Sequence, residues 1–232
     1  MNAHDLFQQK IIPLVYQQMQ ASCYDEAIAA IDDFYRSNVN KDHLYWLKPK
    51  SDAWKALILE KQSKYAEALL LYKSAYQSLP LQDNFYVYNR LNIARVLHKL
   101  KRNQEAIAEI EAILNLEFDT SVFELLALLD CYVDCLDSRN EIFPQKYLKF
   151  VICIAKELAI EFEPNLVTQI NPAIKQMVQK NRLANRAYSL LLIQLNKLKP
   201  EEQIYLLRNY LSTAKIDYYR QMAIAQLKQI ES

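Results

Sequence analysis

Tyr65-Ala66-Glu67-Ala68-Leu69 has two partners elsewhere in the chain, Tyr24-Asp25-Glu26-Ala27-Ile28 and Asn103-Gln104-Glu105-Ala106-Ile107. Their alanines are 41 residues apart from Ala27 to Ala68, and 38 apart from Ala68 to Ala106. Each segment opens an apolar pattern at three and four spacing, the period of an amphipathic helix. A recurrence at this distance is the mark of stacked helical hairpins, where each repeat is one supersecondary unit that buries its apolar face against the next.

The same periodicity covers almost all 232 residues. It predicts about twelve helices, with long ones over residues 3–20, 24–37, 50–61, 64–78, 83–101 and 104–116. Ser121 with Glu124 reads as a capping box for a helix ending near Ser138. Pro144, Pro164, Pro172 and Pro200 read as first-turn prolines of later helices. Asn171 before Pro172 is expected to split a helix in two, and the last pair is placed at 201–213 and 215–230. No stretch alternates as a strand does, so no sheet is expected. Glycine is absent, against an average near 7%. A chain without it cannot build a phosphate-cradling P-loop or a dinucleotide fingerprint. Its left-handed helix caps then fall to residues such as Asn or Ser. The expectation is therefore an all-α chain, one domain over 1–232, built as a right-handed solenoid of antiparallel hairpins.

The repeat resembles the tetratricopeptide repeat family. The middle copy matches best: Ala56 stands at the small position of the first helix, Tyr65 and Ala68 open the second, and Tyr72, Ala75 and Pro80 follow at the aromatic, alanine and proline positions. The third copy keeps Ala94 and Ala106 but has Ile110, Ile113 and Phe118 further on, and the first keeps Tyr24 and Ala27. The resemblance covers residues 8–118; from 119 to 232 further helical hairpins are expected without a family motif. It implies a groove lined by the first helix of each repeat. Carried over, those positions are Ile12, Tyr16 and Met19; Ala53, Trp54, Leu57, Glu60 and Lys61; and Tyr88, Leu91, Asn92, Arg95, His98 and Lys99. The family's clamp for chaperone C-termini needs Lys and Asn where this chain has Ile12 and Tyr16, Asn where it has Trp54, and Arg where it has Asn92. That ligand is not expected here.

Cys131 and Cys135 lie one helical turn apart, with Cys23 and Cys153 elsewhere. Structural zinc needs about four converging ligands, and His4, His43 and His98 are scattered, so the cysteine pair reads as core packing and no metal or cofactor is expected. The polar opening residues lack a basic leader segment, and free thiols suit a reducing, cytoplasmic setting. No nucleophile elbow, zinc-protease or kinase motif appears, so an enzyme is not expected.

The net charge of +1 selects neither nucleic acid nor membrane as a partner. Locally the balance is uneven. Arg90, Arg95, Lys99, Lys101 and Arg102 form a basic run. From Glu105 to Glu141 the acids outnumber Arg139, the lone cation there. Asp130, Asp134 and Asp137 share one helical face, expected to point to solvent or to a partner, with Leu125, Leu128, Leu129 and Tyr132 on the core side. The function expected is protein–protein interaction without catalysis, through the groove (Tyr16, Trp54, Tyr88, Asn92, Arg95, Lys99) or the acidic stripe. One form of it is a bacterial immunity protein that caps a basic toxin; another is a peptide-sensing regulator.

Overall fold

A computed structural model describes residues 3–38, 46–77, 84–116, 122–158 and 170–231. Every regular element among them is a helix: α1 (Ala3–Leu6), α2 (Ile12–Gln20), α3 (Tyr24–Asn38), α4 (Leu47–Lys61), α5 (Tyr65–Gln77), α6 (Asn84–Lys99), α7 (Asn103–Leu114), α8 (Val122–Asp137), α9 (Leu148–Glu157), α10 (Ile170–Leu195), α11 (Pro200–Thr213) and α12 (Asp217–Glu231). The chain divides into two compact units, Met1–Thr120 and Ser121–Ser232. The division falls where the repeat pattern ends, although the sequence reads as one domain.

The expected first helix is interrupted by a π-helical stretch, Phe7–Ile11, in which the Ile12 N–H reaches back to the Phe7 carbonyl. Pro13 accounts for it. Its nitrogen carries no hydrogen and its ring crowds the carbonyl four residues earlier, so the helix widens by one residue to pass it.

In the first unit each helix packs on the next, from α2 through α7. Three turns join these helices in pairs, and all three have the same geometry. Ser22, Ser63 and Lys101 take positive φ of 60°, 60° and 63°. The next residue's amide donates five positions back along the turn: Cys23 to Gln18 (2.8 Å), Lys64 to Leu59 (2.9 Å) and Arg102 to Leu97 (2.9 Å). The left-handed residue donates to the carbonyl inside that one: Ser22 to Met19 (3.1 Å), Ser63 to Glu60 (3.0 Å) and Lys101 to His98 (2.9 Å). This is a Schellman cap, which satisfies the last helical carbonyls. The entering helix then begins with Ala27, Ala68 or Ala106 bonded to the residue just past the cap, at 3.1, 3.0 and 3.0 Å. All three alanines are fully buried, as are Ala56 and Ala94 on the preceding helices, with Val15 in the corresponding place of the first hairpin. Ile31, Tyr72 and Ile110, one turn further along, are also fully buried. Glycine-free turns are thus built at a modest cost in backbone strain, since a left-handed L-residue is disfavoured by roughly 1–2 kcal/mol.

The second unit is arranged differently. A fourth left-handed residue, Asn140 (φ 56°), ends α8 with the same cap, Glu141 donating to Leu136. Pro144 precedes a short 3-10 turn that leads into α9. α8 packs against both α9 and α10, and α10 in turn against α11 and α12. Pro172 does not split α10, which runs unbroken over 26 residues; in the first turn the missing proline N–H removes no helical bond. Pro200 opens α11 as expected. Leu128, Leu129, Tyr132, Cys131 and Cys135 are core, whereas Leu125 is half-buried and Leu126 takes the buried place. The expected capping box and Pro164 lie outside the described residues.

Two substitutions test the turn and the crossing. Ser63→Gly should relieve the left-handed strain and, after the extra unfolded-chain freedom of glycine, stabilise the first unit by roughly 0.5–1 kcal/mol. Ala68→Leu should force bulk into a closed helix contact and cost roughly 1–3 kcal/mol. Urea denaturation followed by circular dichroism reads both; equal midpoints for parent and both variants would contradict the assigned turn and contact.

Candidate functional site

The expected groove residues separate into core and surface. Ala53, Leu91 and Asn92 are buried and cannot meet a partner directly. Tyr16 on α2 is 49% exposed and Tyr88 on α6 37%. Trp54 on α4 is half-buried, packed beneath by Val15, Ile31 and Phe7. Tyr16 stands edge-on to it, ring centres 5.2 Å apart and planes at 89°. This contact ties α2 to α4 while Tyr16 stays half-exposed.

A second group joins α4 to α6. Arg95 donates through Nη2 to Glu60 Oε1 at 2.7 Å and through Nη1 to Asn92 Oδ1 at 3.0 Å. The Tyr72 hydroxyl donates to the other Glu60 oxygen at 3.3 Å. Burial pushes the Tyr72 hydroxyl far above its usual range, and the Glu60 carboxylate adds to the effect, so it remains a hydrogen-bond donor at any physiological pH. Among the described residues the buried Asn92 Nδ2 meets no hydrogen-bond partner. One turn beyond Arg95, Lys99 is exposed. On its far side α6 is held by Arg90, which pairs with Glu109 of α7 at 2.7 Å and lies over the Tyr76 and Tyr86 rings. Arg90 and Lys99 thus belong to different sides of the helix. Tyr16 on α2, Trp54 on α4, and Tyr88, Arg95 and Lys99 on α6 remain as at least partly exposed groups.

The acidic stripe does not stand free of cations, contrary to the expectation from α8 alone. Asp130 is paired with Arg182 of α10. Lys175 of α10 bridges Asp134 at 3.0 Å and Asp137 at 2.7 Å. Asn171 completes the clasp: its Nδ2 donates to Asp137 Oδ1 (2.7 Å) and to the Glu141 carbonyl (2.9 Å), and its Oδ1 accepts from the Phe143 amide (2.9 Å). The pairing was legible in the sequence as matching spacings. Asp130 and Asp137 are seven residues apart, as are Lys175 and Arg182, so antiparallel helices bring the two pairs into register. What α8 alone could not tell is which helix lies against it.

A pocket of about 350 Å³ opens beside the clasp, between Asp137, Glu141, Ile142 and Asn171. Its asparagine has both amide atoms committed to the protein, and Glu141 is engaged by Arg139 at 2.7 Å. Among the described residues no three His, Cys, Asp or Glu side chains gather as a metal site would require. Cys131 and Cys135 are buried, Cys23 is half-buried and Cys153 is exposed. No family model, curated protein or solved structure matches the chain.

Electrostatics of the clasp set its response to pH. Burial alone would raise the Asp137 carboxyl; the hydrogen bonds from Lys175 and Asn171 outweigh it and hold the group below its ordinary value. Asp130 goes the other way, raised by burial despite Arg182. Because the folded pKa of Asp137 is depressed, its contribution to stability is present above the unfolded value near 4 and is lost as pH falls through the folded one. Lys175→Met should therefore move the Asp137 titration upward and cost up to about 1 kcal/mol, the ceiling for so exposed a pair. Carboxyl NMR titration of the two proteins measures the shift; an unmoved Asp137 midpoint would contradict the bridge.

Proposed function

We propose that the chain is a non-catalytic protein-interaction module whose first unit is a tetratricopeptide-like solenoid. In this reading the exposed side of α2, α4 and α6 receives an extended segment of a partner protein. The repeated turn and the buried alanines support the family likeness. The observation that carries the binding role is the pair Tyr16 and Tyr88, two large aromatic side chains 49% and 37% exposed on the helices that would line the groove. Tyrosine offers large contact area for little lost rotamer freedom and is enriched at protein interfaces. Lys99, exposed on α6, favours a segment carrying an acidic residue. The Glu60 carboxylate already neutralises Arg95, so Lys99, rather than Arg95, is the cation of α6 that a ligand would meet.

The immunity-protein reading relied on an unpaired acidic stripe. With Asp130, Asp134 and Asp137 held by Arg182 and Lys175, a basic partner would compete with cations already in place, so the groove is the preferred surface.

Selection of displayed random peptides on the whole chain tests the groove. Binders should be extended, enriched in acidic residues, and weakened roughly five- to thirty-fold by Tyr88→Ala or Lys99→Glu. Leu70→Ala, at a position 70% exposed on α5, should leave them unchanged. Binders indifferent to Tyr16, Tyr88 and Lys99 would place the interaction elsewhere.

A further inference from the structure

α10 contains Lys175, Lys180, Arg182 and Arg186 and no Asp or Glu. Its inner face is closed by Tyr188, Leu191 and Leu195 against the second unit. On its outer face Leu183 is 59% exposed, Leu190 52% and Ile193 54%. Seven and three residues separate them, so they form one stripe, with exposed Ala187 between the two leucines. Isolated exposed leucines are ordinary; three in line on a helix that carries only positive charge are a pattern.

The surroundings decide what could cover it. Asn185 and Ser189 on one flank and Lys180 on the other are exposed, as are Arg186 and Gln194 within the span of the stripe. Among the described residues the helix therefore projects as a ridge, with no wall beside the stripe. A partner helix seats its apolar face in a groove, which this surface does not offer. A flat anionic surface needs none: it accepts the ridge, takes the leucines among its acyl chains and meets the cations with its headgroups. We infer that the outer face of α10 is a membrane-docking surface that lays Leu183, Leu190 and Ile193 into the interface of a bilayer rich in anionic phospholipid, with Lys180 and Arg186 on the headgroups. Among the described residues no helix is long and apolar enough to cross a membrane, and α10 would lie along one. The whole-chain charge of +1 points away from a membrane only because it averages this helix with the acidic stretch before it. The inference concerns the second unit and stands apart from the groove of the first.

Sedimentation with phosphatidylcholine vesicles, with and without phosphatidylglycerol, tests it on the full chain. The protein should pellet with the anionic vesicles, stay in solution with pure phosphatidylcholine, and be released as salt rises. Arg186→Gln should weaken binding about five-fold, the worth of one cation near such a surface. Leu190→Gln with Ile193→Gln should abolish it while circular dichroism and melting match the parent; if that double variant is unfolded, the Arg186→Gln and salt responses decide alone. Failure to pellet with anionic vesicles, equal binding to neutral ones, or variants that bind like the parent would overturn the inference. So would α10-dependent capture of an acidic amphipathic peptide without vesicle binding, which would identify a protein partner instead.

Discussion

Everything in the first unit depends on how a helix can end and reverse without glycine. The reversal needs one residue in the left-handed region, where a side chain is a burden. Serine takes that place twice and lysine once, each time followed by the same pair of backbone hydrogen bonds. The turn aims the next helix back along the last at close range. Close range in turn demands a small residue at the crossing, which is why Ala27, Ala68 and Ala106 are wholly buried while the glutamate before each is exposed. The Glu-Ala pairs that mark the repeat are thus the trace of one geometric requirement met three times.

That requirement explains what was legible. The helix pairs, the alanines and the left-handed caps could be read because they are local, set by residues within a few positions of each other. The π-helical stretch beside Pro13 and the unbroken run of α10 through Pro172 are local too, but they turn on where in a helix a proline falls, and a boundary uncertain by two residues changes the answer. The partition of groove residues was harder. Asn92 and Tyr88 lie on the same helix, four residues apart. One is buried and the other partly exposed, although the four-residue spacing puts both on one face of α6, so periodicity alone cannot sort them.

The acidic stripe shows how charge misleads when read along the chain. Three aspartates on one face of α8 look like a surface awaiting a cation, yet the cations are in the same unit, on a helix more than thirty residues further on. The asymmetry between Asp130 and Asp137 follows from the neighbours each meets. Asp137 receives two hydrogen bonds and is held ionised, while burial dominates at Asp130. Pairing uses up Lys175 and Arg182 on the inner edge of α10 and leaves Lys180 and Arg186 outside, so one clasp both joins the helices and sorts their charges into internal and external sets.

Three equivalent turns build the first unit, and their amides report on it directly. The N–H groups of Cys23, Lys64 and Arg102 follow exposed turn residues, yet each donates to a carbonyl of the helix behind it. Amide hydrogen exchange by NMR on the intact chain should find these three protected alike, at the level of the helices they terminate. Exchange of all three at the rate of free peptide would mean that the turns are not closed, and the account of the repeat would be wrong.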